Sequence, residues 1–136
     1  MTRSLRALII AGLVAASMAG LHCAMGPTEN GLRGTWHWQR SVGGFAGWTL
    51  TPASEGYTQR LRLGPGADFA FYRADTLAAR GTFSIVQEGE RALIRYQTES
   101  DWWLLSFGHT IARRTPDTLV LRDRCTDCYT HTFTRP

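Results

Sequence analysis

The sequence predicts an all-β domain, an antiparallel up-and-down barrel of eight strands that follows an N-terminal export segment. Three observations carry this. From residue 34 onward, short runs rich in Trp, Phe, Tyr, Thr, Leu and Ile recur between turn residues, and no stretch places apolar residues at helical spacing. Within the runs, apolar and polar side chains alternate. The connections are nearly all short enough for hairpins, which favours a meander, and a meander removes its two open edges by closing on itself.

The chain has 136 residues, enough for one core and too few for two. Residues 2–6 (TRSLR) carry two arginines, and ALIIAGLVAASMAGL follows, the charged and apolar regions of an export signal spanning residues 1–23. The apolar run is shorter than a membrane span, and nothing later approaches one. Two exits from the signal stay open. Ser17-Met18-Ala19 is a small-x-small cleavage site for simple secretion. Alternatively, Cys23 is the acylated first residue of a bacterial lipoprotein, although Gly20 and His22 stand where that recognition box usually has leucine and a small residue. The cysteine count bears on the choice: of three cysteines, a Cys125–Cys128 pair leaves Cys23 a lone thiol unless it is lipidated or removed. Either exit predicts a periplasmic protein or one anchored to a membrane and facing the periplasm or cell surface. Residues 24–33, AMGPTENGLR, are small, polar and Gly/Pro-containing, and are expected to be a tether.

The barrel strands follow in order over residues 34–136. GTWHWQRSV (34–42), YTQRLRLG (57–64), ADFAFYR (67–73) and LAARGTFSIVQ (77–87) form the first half. RALIRYQT (91–98), WWLLSF running into GHTIAR (102–113), DTLVLRD (117–123) and CYTHTFTR (128–135) form the second. Gly64-Pro65-Gly66, Ala74-Asp75-Thr76, Glu88-Gly89-Glu90 and Thr115-Pro116 punctuate them with turn chemistry. Alternation assigns faces: Leu61 and Leu63 oppose Arg60 and Arg62, while Leu119 and Leu121 oppose Val120 and Arg122. Tyr129, His131, Phe133 and Arg135 share one side of the last strand, against Thr130, Thr132 and Thr134. One aromatic or aliphatic face per strand suits a packed or ligand-filled interior.

The formal charge of +4 belongs partly to the signal; beyond Cys23 the excess is +2 and the arginines are scattered. Nucleic-acid binding needs a concentrated basic face, and the linear sequence has none. All fifteen basic residues are arginine, which coding bias explains more simply than function.

Gly34-Thr35-Trp36 opens the first strand, and this G-x-W at the start of an eight-stranded up-and-down pattern resembles the lipocalin signature. The resemblance implies that Trp36 closes one end of the barrel and that a basic side chain from the last strand packs across its ring. Arg135 is the matching candidate, with Arg122 second. The longer run GTWHWQRSVGGFAGWTLTPASEGYTQRLRL, with FAFYR, GTFSI, DTLVLRD and C-x-D-C-Y-x-H-x-F-x-R, resembles a group of small exported bacterial proteins of lipocalin-like type. It covers nearly everything from residue 34 on, most loosely over 88–116, and implies a fold and an extracytoplasmic setting without an activity.

Three readings of Cys125 and Cys128 stay open. In a hairpin turn, residues three apart bring their Cα atoms within about 7 Å, a distance a disulfide can span, and export favours oxidation. A redox pair needs a thiol activated by a helix N-terminus or basic neighbour; Arg124 is adjacent, but the flanks are strand-like. Structural zinc needs four ligands. Cys128 and His131 face opposite sides of one strand, so His37 or His109 would have to help. The disulfide fits best.

GGFAG (43–47) lacks the Lys-Ser/Thr and following helix of a phosphate loop. It reads as a flexible connection, or as a lid carrying Phe45 and Trp48 over the barrel mouth. Trp102 and Trp103 are strand neighbours and should face opposite ways. Glu99 and Asp101 read as solvated turn acids, and no nucleophile has an evident base and orienting partner, so no catalytic residue is assigned. The expected function is non-catalytic binding of a small apolar or amphipathic ligand. Its proposed lining is Trp38, Leu61, Phe71, Phe83, Ile94, Tyr96, Leu121 and Tyr129, with Phe45 and Trp48 above. His131 joins this face, although an inward histidine is more often a satisfied core residue. No cofactor, metal or nucleic-acid partner is assigned, and membrane contact is expected only through a lipid anchor. The alternative is a pocketless barrel that acts through its loops as an envelope scaffold or protein-binding inhibitor.

Overall fold

The computed structural model describes residues 31–101 and 103–136. The signal segment, Cys23, residues 24–30 and Trp102 lie outside the described residues. Nine strands make one antiparallel sheet: β1 (Gly34–Gly43), β2 (Trp48–Leu50), β3 (Gln59–Leu63), β4 (Asp68–Arg73), β5 (Thr76–Glu88), β6 (Arg91–Thr98), β7 (His109–Arg114), β8 (Thr118–Asp123) and β9 (Tyr129–Thr134). From β3 to β9 each strand pairs with the next, and β1 pairs with both β3 and β9. The result is a closed eight-stranded barrel, with the short β2 hairpinned onto the end of β1.

The alternation that defines the strands also fills the interior. Leu61 and Leu63 point inward from β3, Phe69 and Phe71 from β4, and Leu119 and Leu121 from β8, all buried in a single core. Three bulges interrupt the alternation. One extra residue on β1, between Trp38 and Arg40, breaks the register with β9. Trp36 and Trp38 point inward before it, and Ser41 points inward after it. β7 shifts register between Ile111 and Arg113, and β5 skips a residue opposite Phe71 and Tyr72. Such bulges re-aim side chains along a barrel strand.

At one end, Trp36 is fully buried and its indole N–H donates to the Leu32 carbonyl at 2.7 Å. The Arg135 guanidinium lies over the Trp36 ring at 4.2 Å and donates to the Gly31, Arg33 and Pro116 carbonyls. Leu32, placed in the tether by composition, is itself fully buried, because the last residues before β1 turn under the barrel and plug it. Residues 31–33 therefore pack as part of the domain.

The expected strand over 102–113 forms in its second half alone. Trp103–Phe107 is a short helix, and β7 begins at His109. Gly108 separates the two in a left-handed conformation (φ 70°), where a Cβ would stand 2.3 Å from the Ile94 carbonyl oxygen. The WWLLSF run does not alternate, so nothing in it holds a two-sided strand. The interval 43–56 between the first two expected strands also holds structure: β2, then a four-residue helix α1 (Pro52–Glu55) whose N-cap Thr51 forms a reciprocal capping box with Ser54. The helix at 103–107 is α2. Tyr57, just after α1, stacks on Trp38 at 6.1 Å and carries the Arg73 guanidinium on its ring. Cys125 and Cys128 form a disulfide across the β8–β9 turn, with Cα atoms 5.5 Å apart.

Candidate functional site

Opposite the Trp36 end, the barrel holds a polar chain contributed by five of its strands. Asp123 ends the inward face of β8 after Leu119 and Leu121 and is buried. His109 starts β7 directly across from it, and His131 comes from the middle of β9. Both imidazoles aim Nε2 at one carboxylate oxygen: His131 Nε2 stands 2.9 Å and His109 Nε2 3.1 Å from Asp123 Oδ1. The backbone N–H of Tyr129 donates to Asp123 Oδ2 at 3.2 Å.

The far side of each ring is held by a hydroxyl. The Tyr96 hydroxyl of β6 lies 2.9 Å from His109 Nδ1, and Ser41 Oγ of β1 lies 2.6 Å from His131 Nδ1. Ser41 in turn accepts the Trp38 indole N–H at 2.8 Å. One consistent proton assignment satisfies the whole chain. Trp38 donates to Ser41, Ser41 to His131, Tyr96 to His109, and both neutral imidazoles donate through Nε2 to the carboxylate. Burial alone would push the Asp123 carboxyl up, but the hydrogen bonds it accepts from His109 and His131 hold it well below the usual carboxylate range. Burial and the nearby Asp123 charge push the Tyr96 phenol well above the ordinary tyrosine value, so it stays a donor.

This chain forms one wall of an enclosed cavity of about 50 Å³. Leu61, Phe71, Leu105, Leu121 and Phe133 make the apolar walls, and Tyr96, His109, Asp123, His131 and Gln59 the polar side. Leu105 comes from α2, which lies over this end of the barrel. A wider depression lies elsewhere, an open groove beside β4 and β5 lined by Arg62, Asp68, Arg80 and Glu99 together with Tyr72, Leu77 and Ala78. It is open to solvent, with apolar and polar groups mixed along it, so the cavity that gathers buried groups is the better candidate site.

The residues expected to line a ligand site separate into three groups. Leu61, Phe71, Tyr96, Leu121 and His131 line the cavity. Trp38, Phe83 and Ile94 are buried core residues outside its lining, and Tyr129 is half-buried with its hydroxyl beside the Gly44 backbone. Phe45 and Trp48 do not cover the mouth: they are 94% and 60% exposed. Pairing of β2 with β1 over Ser41–Gly43 extends the sheet at that end of β1, and neither ring joins the cavity lining. Gly34, Trp36 and Arg135 sit together at the opposite end, where the Arg135 guanidinium also lies 3.1 Å from the Cβ position of Gly34.

Sequence reasoning missed Asp123, His109, Ser41 and Leu105 as members of the site. Asp123 has the inward parity of Leu119 and Leu121, a usable signal. Ser41 was hidden, since simple alternation from Trp36 and Trp38 points Arg40 inward and the β1 bulge reverses that. Comparison with protein-family models, with curated proteins and with solved structures finds no match to this chain.

Proposed function

We propose that this chain is an exported, non-catalytic binding barrel of lipocalin-like type, whose ligand is a very small amphipathic molecule held in the enclosed cavity. The observation that carries the reading is the cavity itself, apolar on most sides with five hydrogen-bonding side chains converging on the rest. The disulfide supports the extracytoplasmic setting. Volume sets the ligand class. Cavities that take drug-sized ligands measure about 300 to 1,000 Å³, whereas one water needs about 10 to 15 Å³. A space of about 50 Å³ therefore takes about three or four heavy atoms. At the efficiency ceiling of about 1.5 kcal/mol per atom, binding reaches about 6 kcal/mol, a Kd in the tens of micromolar at best.

Fatty acids and retinoids are too large for this interior. The test is an NMR titration with acetate and propanol, with palmitate and retinol as comparison. Acetate or propanol should shift the Leu105 and Leu121 methyls and the His131 ring saturably, and the long ligands should not. Absence of any shift at those positions, or palmitate entering the barrel, refutes the reading.

A second reading, binding through loops by a barrel without a ligand, draws on a different feature. Val42, Phe45 and Trp48 are exposed together on the β1–β2 hairpin. If that hairpin is the working surface, a Phe45→Ala/Trp48→Ala variant loses its envelope partner in crosslinking while the cavity titration is unchanged.

A further inference from the structure

We propose that His109, His131 and Asp123 bind one divalent transition-metal ion of the zinc class, with the remaining coordination positions facing the enclosed cavity. This goes beyond the ligand reading and does not depend on it.

The first argument is the spacing of donors. The ligand atoms of the three residues lie within 4.8 Å of one another, and since donors about 2.1 Å from one ion stand at most about 4.2 Å apart, the widest pair closes by about half an ångström on binding. The two Nε2 to Oδ1 separations, 2.9 and 3.1 Å, are those of neighbouring ligands around a small ion. Two donors each about 2.1 Å from a metal stand about 3.0 Å apart at a right angle and about 3.4 Å apart at the tetrahedral angle. Two imidazoles and one carboxylate are also the donor set of open three-ligand metal sites, and imidazole suits zinc and its first-row neighbours. The paired Cys125 and Cys128 supply no thiolate, so a softer site does not compete at the same turn.

The second argument is what stands behind the rings. Metal-binding histidines nearly always hydrogen-bond through the other ring nitrogen, which fixes their orientation. Here each Nδ1 meets a hydroxyl oxygen, Tyr96 for His109 and Ser41 for His131, and Trp38 anchors Ser41. A hydroxyl donates or accepts. Shifting each ring proton from Nε2 to Nδ1 frees both Nε2 lone pairs for an ion; the Tyr96 and Ser41 hydroxyl hydrogens rotate off Nδ1, and Nδ1–H then donates to the two oxygens. The protein passes from the proton-filled chain to the metal-filled one by this tautomer change in each ring, without losing a proton.

Charge and access complete the case. The Asp123 side chain is 3% exposed, and a divalent cation offsets a buried carboxylate more fully than two neutral rings do. The His131 and His109 side chains keep 23% and 12% exposure, which leaves a way in. The cavity on the inner side gives room for water or a small ligand atom on the ion.

The experiment uses the purified protein stripped with a chelator and dialysed. Co²⁺ titration followed by visible absorption, and Zn²⁺ titration by calorimetry, should each give one site per chain. His131→Ala and His109→Ala should abolish that site, and His37→Ala, at an exposed position on β1, should leave it intact. Because the cavity-facing variants risk unfolding, Tyr96→Phe and Ser41→Ala provide a second measurement: each should keep the far-ultraviolet circular dichroism and weaken Zn²⁺ binding about 10- to 100-fold. Nitrogen NMR of the imidazoles should show both rings moving from the Nε2–H to the Nδ1–H tautomer on adding Zn²⁺. Absence of stoichiometric binding, binding lost with His37 instead, or unchanged tautomers would overturn the assignment. None of these outcomes touches the acetate and propanol titration of the metal-free cavity.

Discussion

Asp123 is the residue on which the polar end of the barrel depends, since one of its oxygens receives both imidazoles and the other a backbone N–H. Its folded pKa is depressed by those bonds, against the opposing effect of burial. The linkage sign follows. An ordinary aspartate titrates near 3.9 in the unfolded chain, so the stabilisation from ionised Asp123 is complete above about pH 5 and drains away as pH falls through the unfolded value toward the lower folded one. Asp123→Asn removes the charge and turns one acceptor into an N–H group, which meets either the two imidazole donors or the Tyr129 N–H depending on how the amide is turned. In chelated protein the variant should lose about 1 to 3 kcal/mol at pH 7, and the gap to the unsubstituted protein should narrow at pH 3. Urea unfolding at the two pH values measures it. An equal gap at both would mean that the carboxyl is not held in its ionised form by His109 and His131.

At the scale of the element, Gly108 joins α2 to β7 and decides where His109 stands. Its left-handed backbone and the 2.3 Å approach of its Cβ position to the Ile94 carbonyl leave room for glycine alone. Ile94 is also the residue paired with His109. Gly108→Ala should therefore cost about 2 to 3 kcal/mol and move the His109 ring away from Tyr96, read as a thermal shift and a changed His109 imidazole signal. A full-stability variant with an unmoved ring would show that this turn does not set the site. The same element marks the limit of reading the sequence. β3 and β8 were legible because QRLRL and TLVLRD alternate cleanly, whereas WWLLSF is apolar on every side and fits a buried strand or a helical turn equally well. The site shows the same division. Leu61, Phe71, Tyr96, Leu121 and His131 were legible from parity and aromatic character. Asp123 shares the inward parity of Leu119 and Leu121, His109 enters the sequence reading only as a remote partner for a zinc site at the cysteines, and Ser41 faces inward through a bulge that residue order does not announce.

For the whole molecule, closure is the decisive event, because β1 meets β9 across almost the entire described chain and nothing local draws them together. Gly43 stands in that seam, paired with Tyr129 and with its Cβ position 2.2 Å from the Cys128 carbonyl oxygen. β1 is shared there by three partners: β3 takes its beginning, while β2 and β9 flank its end. Any side chain at residue 43 must push the end of β1 off β9. Ser41 would move with it, leaving His131 Nδ1 and the Trp38 indole without their common partner. The far end should hold, since Trp36, Leu32 and Arg135 pack independently of residue 43. Gly43→Val is accordingly expected to lower stability by about 2 to 4 kcal/mol and to speed hydrogen exchange at the amides of 129–132, while those of 61–63 and 69–71 stay protected. Uniform loss of protection would mean that the barrel opens as one unit and the seam is not its weak line.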